Sequence, residues 1–128
     1  MLKPRKTVPT GQELTIMKVL WQRGRSTVRE IYEELRKQRP LAYTTVLTMM
    51  GILEHKGYVR KTAGERAYIY TPARPQEKVV GGLVNDFVNR VFDGSAKPLL
   101  VHLIESQDLS EQELQELRKL LREKRGRV

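Results

Sequence analysis

The residues best suited to recognise another molecule lie between Ala42 and Gly57, in the run Ala-Tyr-Thr-Thr-Val-Leu-Thr-Met-Met-Gly-Ile-Leu-Glu-His-Lys-Gly. On a helix, Val46, Met49, Met50 and Leu53 form one apolar face, and Thr44, Leu47, Thr48 and Gly51 form the opposite one. A helix that only covers a core carries charges on its outer face. This outer face has none from Thr44 to Gly51. Such a surface suits the major groove of a duplex. A threonine hydroxyl donates or accepts, its methyl and Leu47 can meet a thymine methyl, and Gly51 permits close backbone approach. Tyr43, Thr44, Leu47 and Thr48 are therefore the candidate base-reading residues. The bland alternative is a threonine-rich amphipathic helix in an ordinary small α+β domain, with Leu47 packed on a hairpin.

Charge points to the same partner. The net charge is +9. Residues 1–72 carry 14 Lys and Arg against 6 Asp and Glu, whereas residues 73–128 carry 10 against 9. The excess lies in the first part, which implies a polyanion partner there rather than a generally basic protein. Candidate phosphate contacts are Thr27 and Arg29 at the start of a helix, Thr45, and Arg60, Lys61 and Arg66 in a basic hairpin, with Arg25 and Lys56 as weaker ones. A helix N-terminus also offers free N–H groups to phosphate.

Other chemistry finds little support. Met49 and Met50 fall on the Val46/Leu53 face and read as core rather than soft metal ligands. His55 and His102 lack ligand or acid/base neighbours. No Gly-rich phosphate loop, paired carboxylates or nucleophile elbow is present. The chain has no Cys, so disulfides, thiolate metal sites and Cys nucleophiles are excluded. No catalytic residue, metal or cofactor is expected, and the chain does not read as an enzyme. Tyr68 and Tyr70 are expected to pack on the core rather than stack on bases.

These residues must be positioned by the elements around them. Lys3, Arg5 and Lys6 fall in a Pro-punctuated basic arm, residues 1–9. Thr10-Gly-Gln-Glu13 is a capping box opening a helix to about Arg23, with Leu14, Met17, Val19, Leu20 and Trp21 as its apolar side and Gly24 as its stop. Thr27-Val-Arg-Glu30 opens a second helix through Ile31, Tyr32 and Leu35, ended before Pro40. The recognition candidate follows after a tight connection, the helix-turn-helix order. Gly57 ends it. Tyr58–Thr62 and Arg66–Thr71 form a β-hairpin, with Ala63-Gly64-Glu65 between them and Gly64 expected at positive φ.

Pro72 and Pro75 bracket a linker. Val79, Val80, Leu83, Val84, Phe87, Val88, Val91 and Phe92 then recur at helical spacing. Asp93-Gly94-Ser95 breaks that helix and Lys97-Pro98 starts a short one. Ser110-Glu-Gln-Glu113 caps a last helix striped by Leu114, Leu117, Leu120 and Leu121. These stripes are too few to close a monomeric core, so Val84, Phe87, Val88, Val91, Leu100, Leu103, Leu117 and Leu121 are read as a dimer interface. The fold class is mainly α with a small β-hairpin wing: a winged helix-turn-helix over 10–74, then a helical dimerisation domain over 75–128. No run is long and apolar enough to span a membrane, and the N-terminus lacks a signal peptide's apolar region. Membrane insertion is not expected, and a cytoplasmic location is.

Leu41-Ala-Tyr-Thr-Thr-Val-Leu-Thr-Met-Met, Leu53-Glu-His-Lys-Gly-Tyr-Val and Arg66-Ala-Tyr-Ile-Tyr-Thr-Pro72 together resemble the penicillinase-repressor family. That family includes repressors of β-lactamase and methicillin-resistance genes and copper-responsive relatives. Glu13–Trp21 and Thr27–Tyr32 fit its first two helices and Ser110–Leu121 its last, so the resemblance covers about residues 10–122. It implies a bacterial transcriptional repressor, a homodimer on double-stranded operator DNA with dyad symmetry, in place of the rival reading of an architectural protein without sequence preference. It also implies a membrane sensor protease as partner, through which relatives are cut at an Asn-Phe bond. Counting back from Leu109-Ser110 puts His102-Leu103 at that position, so the cleavage pair is absent. Without Cys, the copper-responsive branch's sensor is absent too. Gly51 stands where some members carry a basic residue.

Overall fold

The computed structural model describes residues 8–126, so most of the basic arm lies outside the described residues. Six helices and one hairpin follow in the order α1 (Gly11–Arg23), α2 (Val28–Leu35), α3 (Tyr43–His55), β1 (Val59–Ala63), β2 (Tyr68–Pro72), α4 (Gln76–Phe92), α5 (Lys97–Ser106) and α6 (Glu111–Gly126). Three helix starts are fixed by local chemistry. Thr10 and Glu13, Thr27 and Glu30, and Ser110 and Glu113 each exchange side-chain-to-backbone hydrogen bonds, which satisfies amide groups that a helix start leaves open. The Thr27 backbone amide is the main reason the Glu30 carboxyl lies below its ordinary value. The cap therefore contributes stability above about pH 4.5 and loses it as pH falls through that lowered value.

The N-terminal unit, which ends at Asp86, closes around one core. Ile16, Met17, Val19 and Leu20 of α1 meet Val28, Ile31 and Leu35 of α2 and Val46, Met50 and Leu53 of α3, with Tyr58, Val59 and Tyr70 from the hairpin. Leu14, expected inside, is only half-buried, and Ile16 takes the core position. Val79 is also part of this core and Leu83 packs against it. The first unit therefore extends past Pro75 into α4, because the first turns of that helix complete its apolar surface. Trp21 reinforces this edge, its indole Nε1–H donating to the Arg74 carbonyl at 2.9 Å.

The hairpin is antiparallel, pairing Val59 with Pro72 and Ala63 with Tyr68. Its loop is Gly64 to Ala67, closed by Gly64 N–H to the Ala67 carbonyl at 3.0 Å, so β2 starts two residues later than the alternation at Arg66 suggests. Gly64 is not at positive φ. It is needed for room, because a Cβ there would lie 2.4 Å from the Ala67 carbonyl oxygen. Tyr70 is buried, but Tyr68 is 55% exposed, against expectation: the two share one face of β2, but Tyr70 lies beside Ser26, whereas Tyr68 pairs with Ala63 at the loop end of the hairpin. A third extended piece joins the sheet: Ser26 and Tyr70 exchange both backbone hydrogen bonds at 3.0 and 2.8 Å. This pins the hairpin to the α1–α2 connection.

One long-range ion pair ties α3 to α1. The Lys56 ammonium lies 2.9 Å from Glu13 Oε1, and the Glu13 side chain is 5% exposed. The same carboxylate accepts from the Thr10 amide. Lys56→Met is expected to cost about 2 kcal/mol, less than the roughly 3–5 kcal/mol of a fully buried pair because the Lys56 side chain is 23% exposed, read as a lower denaturant midpoint. An unchanged midpoint would show the pair to be dispensable.

In the C-terminal unit, which starts at Phe87, Phe87 and Phe92 meet edge to face at 5.9 Å. Asp93 and Gly94 adopt left-handed conformations that end α4. Neither α5 nor α6 contains a buried residue.

Candidate nucleic-acid interface

Helix α3 starts without a side-chain cap. Its N-cap is Ala42, no side chain bonds its first amides, and its first turn has no acidic residue. Its N-terminal dipole and amides thus face outward without a carboxylate to compete. Beyond that start, Thr44, Leu47, Thr48 and Gly51 are all exposed on one side while Val46, Met50 and Leu53 are fully buried on the other. Leu47 is 47% exposed and is not covered by the hairpin. A Cβ at Gly51 would meet no atom of the chain, so nothing within the chain requires glycine there. The face is flat, uncharged and open to close approach.

Tyr43 sits at the edge of this face and is half-buried. Its ring meets Tyr32 edge-on at 5.5 Å, and the Arg29 guanidinium stacks 4.8 Å from its centre. Arg29 also lies 5.6 Å from the Tyr32 ring and 3.5 Å from Glu33. Two aromatic rings thus hold one exposed guanidinium at the α2/α3 junction. Thr27 is less open than its position suggests, because its hydroxyl is engaged with Glu30. Thr45 lies on the flank of α3 that shares a shallow depression with Gln12, Leu41 and Met49, away from the Thr44/Thr48 line. Lys56 is committed to Glu13.

The hairpin supplies the basic edge. Arg60 and Arg66 are exposed and have no ion-pair partner among the described residues. Lys61 differs. Its ammonium lies 3.6 Å from Glu54 Oε1 and 4.4 Å from the centre of the Tyr68 ring. Glu54 is the single acidic residue of α3 and follows Leu47 by two helical turns, on the same flank. Burial raises the Tyr70 phenol above its ordinary value, with Lys61 opposing and Glu54 adding to the shift, so both charges act on this corner. Sequence reasoning missed Glu54, Tyr32 and the Ser26–Tyr70 bridge. The i, i+7 spacing from Leu47 signalled the first, whereas the other two depend on tertiary approach.

The C-terminal unit exposes apolar side chains among its charged ones. Phe87, Val91, Leu100, Leu103, Leu117 and Leu121 are exposed, as is Val84 near the end of the first unit. Val88 is the exception: it is buried within the chain and so offers no surface to a partner. Leu100, Leu103, Ile104, Leu109, Leu117, Leu120 and Leu121 line an apolar groove of about 440 Å³. Among the described residues, no helix is long and apolar enough to cross a membrane.

Comparison with known proteins places this geometry. The family model described as penicillinase repressor matches residues 9–123. The chain is 38% identical to the transcriptional regulator BlaI of Mycobacterium tuberculosis over 73% of its own length and 69% of that protein's. It is 29% identical to the penicillinase repressor of Bacillus licheniformis over 95% of its length and 97% of the relative's. It is 26% identical to the methicillin resistance regulatory protein MecI of Mammaliicoccus sciuri over 90% of its length and 94% of the relative's. Among solved structures, that of the DNA-binding domain of the repressor BlaI superposes with a TM-score of 0.51 at 28% identity, covering 59% of this chain and 90% of that one. That agreement in fold supports the winged helix followed by a helical region.

Proposed function

From the premise that this chain belongs to the penicillinase-repressor family and is a DNA-binding transcriptional repressor, we propose that it acts as a homodimer on a dyad-symmetric operator and blocks transcription sterically. The observation that carries the reading is the exposed, uncharged face of α3, set at an uncapped helix start and bordered by a basic hairpin. Thr44, Leu47 and Thr48 read base edges, and Tyr43 borders them while supporting Arg29. Arg60 and Arg66 carry most of the phosphate contact; Arg29, Thr27, Thr45 and Lys61 contribute less, since Arg29 pairs with Glu33, Lys61 with Glu54 and the Thr27 hydroxyl with Glu30, and Thr45 lies on the flank of α3. Residues 10–74 with the first turns of α4 form the DNA-binding module, and the exposed leucine surface beyond it pairs two copies. The chain works in the cytoplasm, where the operator is. A membrane sensor protease, were it a partner, would meet His102-Leu103 in the exposed helix α5 in place of the Asn-Phe pair.

Base reading and phosphate contact are separable by experiment. Thr48→Ala is expected to cost about 1–3 kcal/mol on the preferred duplex and to relax preference at one position. Arg66→Ala should weaken all duplexes alike and make the salt slope shallower by about one. Binding to a panel of single-base variants distinguishes the two. If both substitutions act uniformly across the panel, α3 does not read bases and the protein is an architectural binder.

A further inference from the structure

We propose that Glu54 is an electrostatic brake on the wing: by pairing with Lys61 it withholds one positive charge from the DNA backbone and so limits affinity for every sequence alike. The inference rests on the DNA-binding reading and deepens it. Three observations carry it. The Lys61 ammonium is held 3.6 Å from Glu54 Oε1 and 4.4 Å from the Tyr68 ring centre, so its position is fixed by two partners. Both charged side chains remain about one-third exposed, at 32% and 39%, so they stay at the surface that a phosphate would approach. Arg60 and Arg66, on the same hairpin, have no such partner among the described residues.

The physical consequence follows from counterion release. Each phosphate that a protein cation neutralises steepens the salt dependence by about one unit. Lys61 paired with Glu54 is a net-neutral unit. A phosphate contact from Lys61 must compete with the carboxylate, and the carboxylate itself repels the backbone. Non-specific binding rests essentially on such charge terms. Withholding one of them lowers the hold on arbitrary DNA and leaves base contacts a larger share of the binding energy.

The test uses the full chain, a mixed-sequence duplex and the tightest duplex selected from a random library. Glu54→Gln is expected to bind both about five- to tenfold more tightly, with a salt slope steeper by about one and an unchanged ratio between the duplexes. Adding Lys61→Met should return affinity and slope to the parent values. The proposal is overturned if Glu54→Gln leaves affinity and slope unchanged, or changes the ratio between duplexes, which would make Glu54 a base reader. It is also overturned if Glu54→Gln weakens binding while lowering Tm, which would make the pair a structural clasp. If the parent protein shows no salt-dependent DNA binding, the functional reading fails instead.

Discussion

Leu103→Glu combined with Leu117→Glu in the intact chain is expected to yield a monomer with operator affinity lower by about two to four orders of magnitude, the usual gain from tethering two half-site contacts. The argument begins with exposure. Leu120 is 60% and Leu121 67% exposed, and α5 and α6 bury nothing. A contiguous apolar surface of this kind marks an interaction site on a soluble protein. Leu103 and Leu117 both line the groove, so carboxylates there would put unpaired charges into the contact. A dimer would set two α3 helices about one turn of duplex apart, and a monomer would lose that geometry. Sedimentation velocity at micromolar concentration is the check. A parent chain that stays monomeric yet binds with full affinity would remove both the interface and the mechanism. A fragment of residues 1–86 should mimic the double variant, because it keeps the core from Ile16 to Val79. Cutting after Pro75 instead removes buried Val79 and should cost about 1.5–3 kcal/mol of stability.

Operator affinity should also fall about a thousandfold between 50 and 200 mM salt, as expected for a log–log slope of about −5 from six or so phosphate contacts. The motive is the charge excess of residues 1–72, 14 basic against 6 acidic residues. The fold leaves Arg60 and Arg66 exposed, but engages Arg29 with Glu33, Lys56 with Glu13 and Lys61 with Glu54. The slope should therefore lie well short of the formal charge. A slope near zero, measured by anisotropy titration across that range, would remove the DNA-binding reading altogether.

The chain's own sequence determined every helix start that a capping box could mark. Thr10/Glu13, Thr27/Glu30 and Ser110/Glu113 act across three residues, and an interaction that local needs no knowledge of the fold. The same holds for the two faces of α3, because a period of 3.6 residues sorts Val46, Met50 and Leu53 from Thr44, Leu47 and Thr48 wherever the helix sits. Helix ends were equally legible: Gly57, at φ 83°, turns the chain from α3 into the hairpin as only glycine readily does. Only the tertiary structure decided which cations remain available. Glu13 and Lys56 are 43 residues apart, and their pairing follows from how α1 and α3 cross. Tyr68 and Tyr70 share one face of β2 by alternation, and which of the two is covered was set by how far along the hairpin Ser26 and the core reach. The extension of the first core to Val79 has the same origin. Burial depends on what surface remains uncovered, and that is a property of the assembled elements rather than of any one segment.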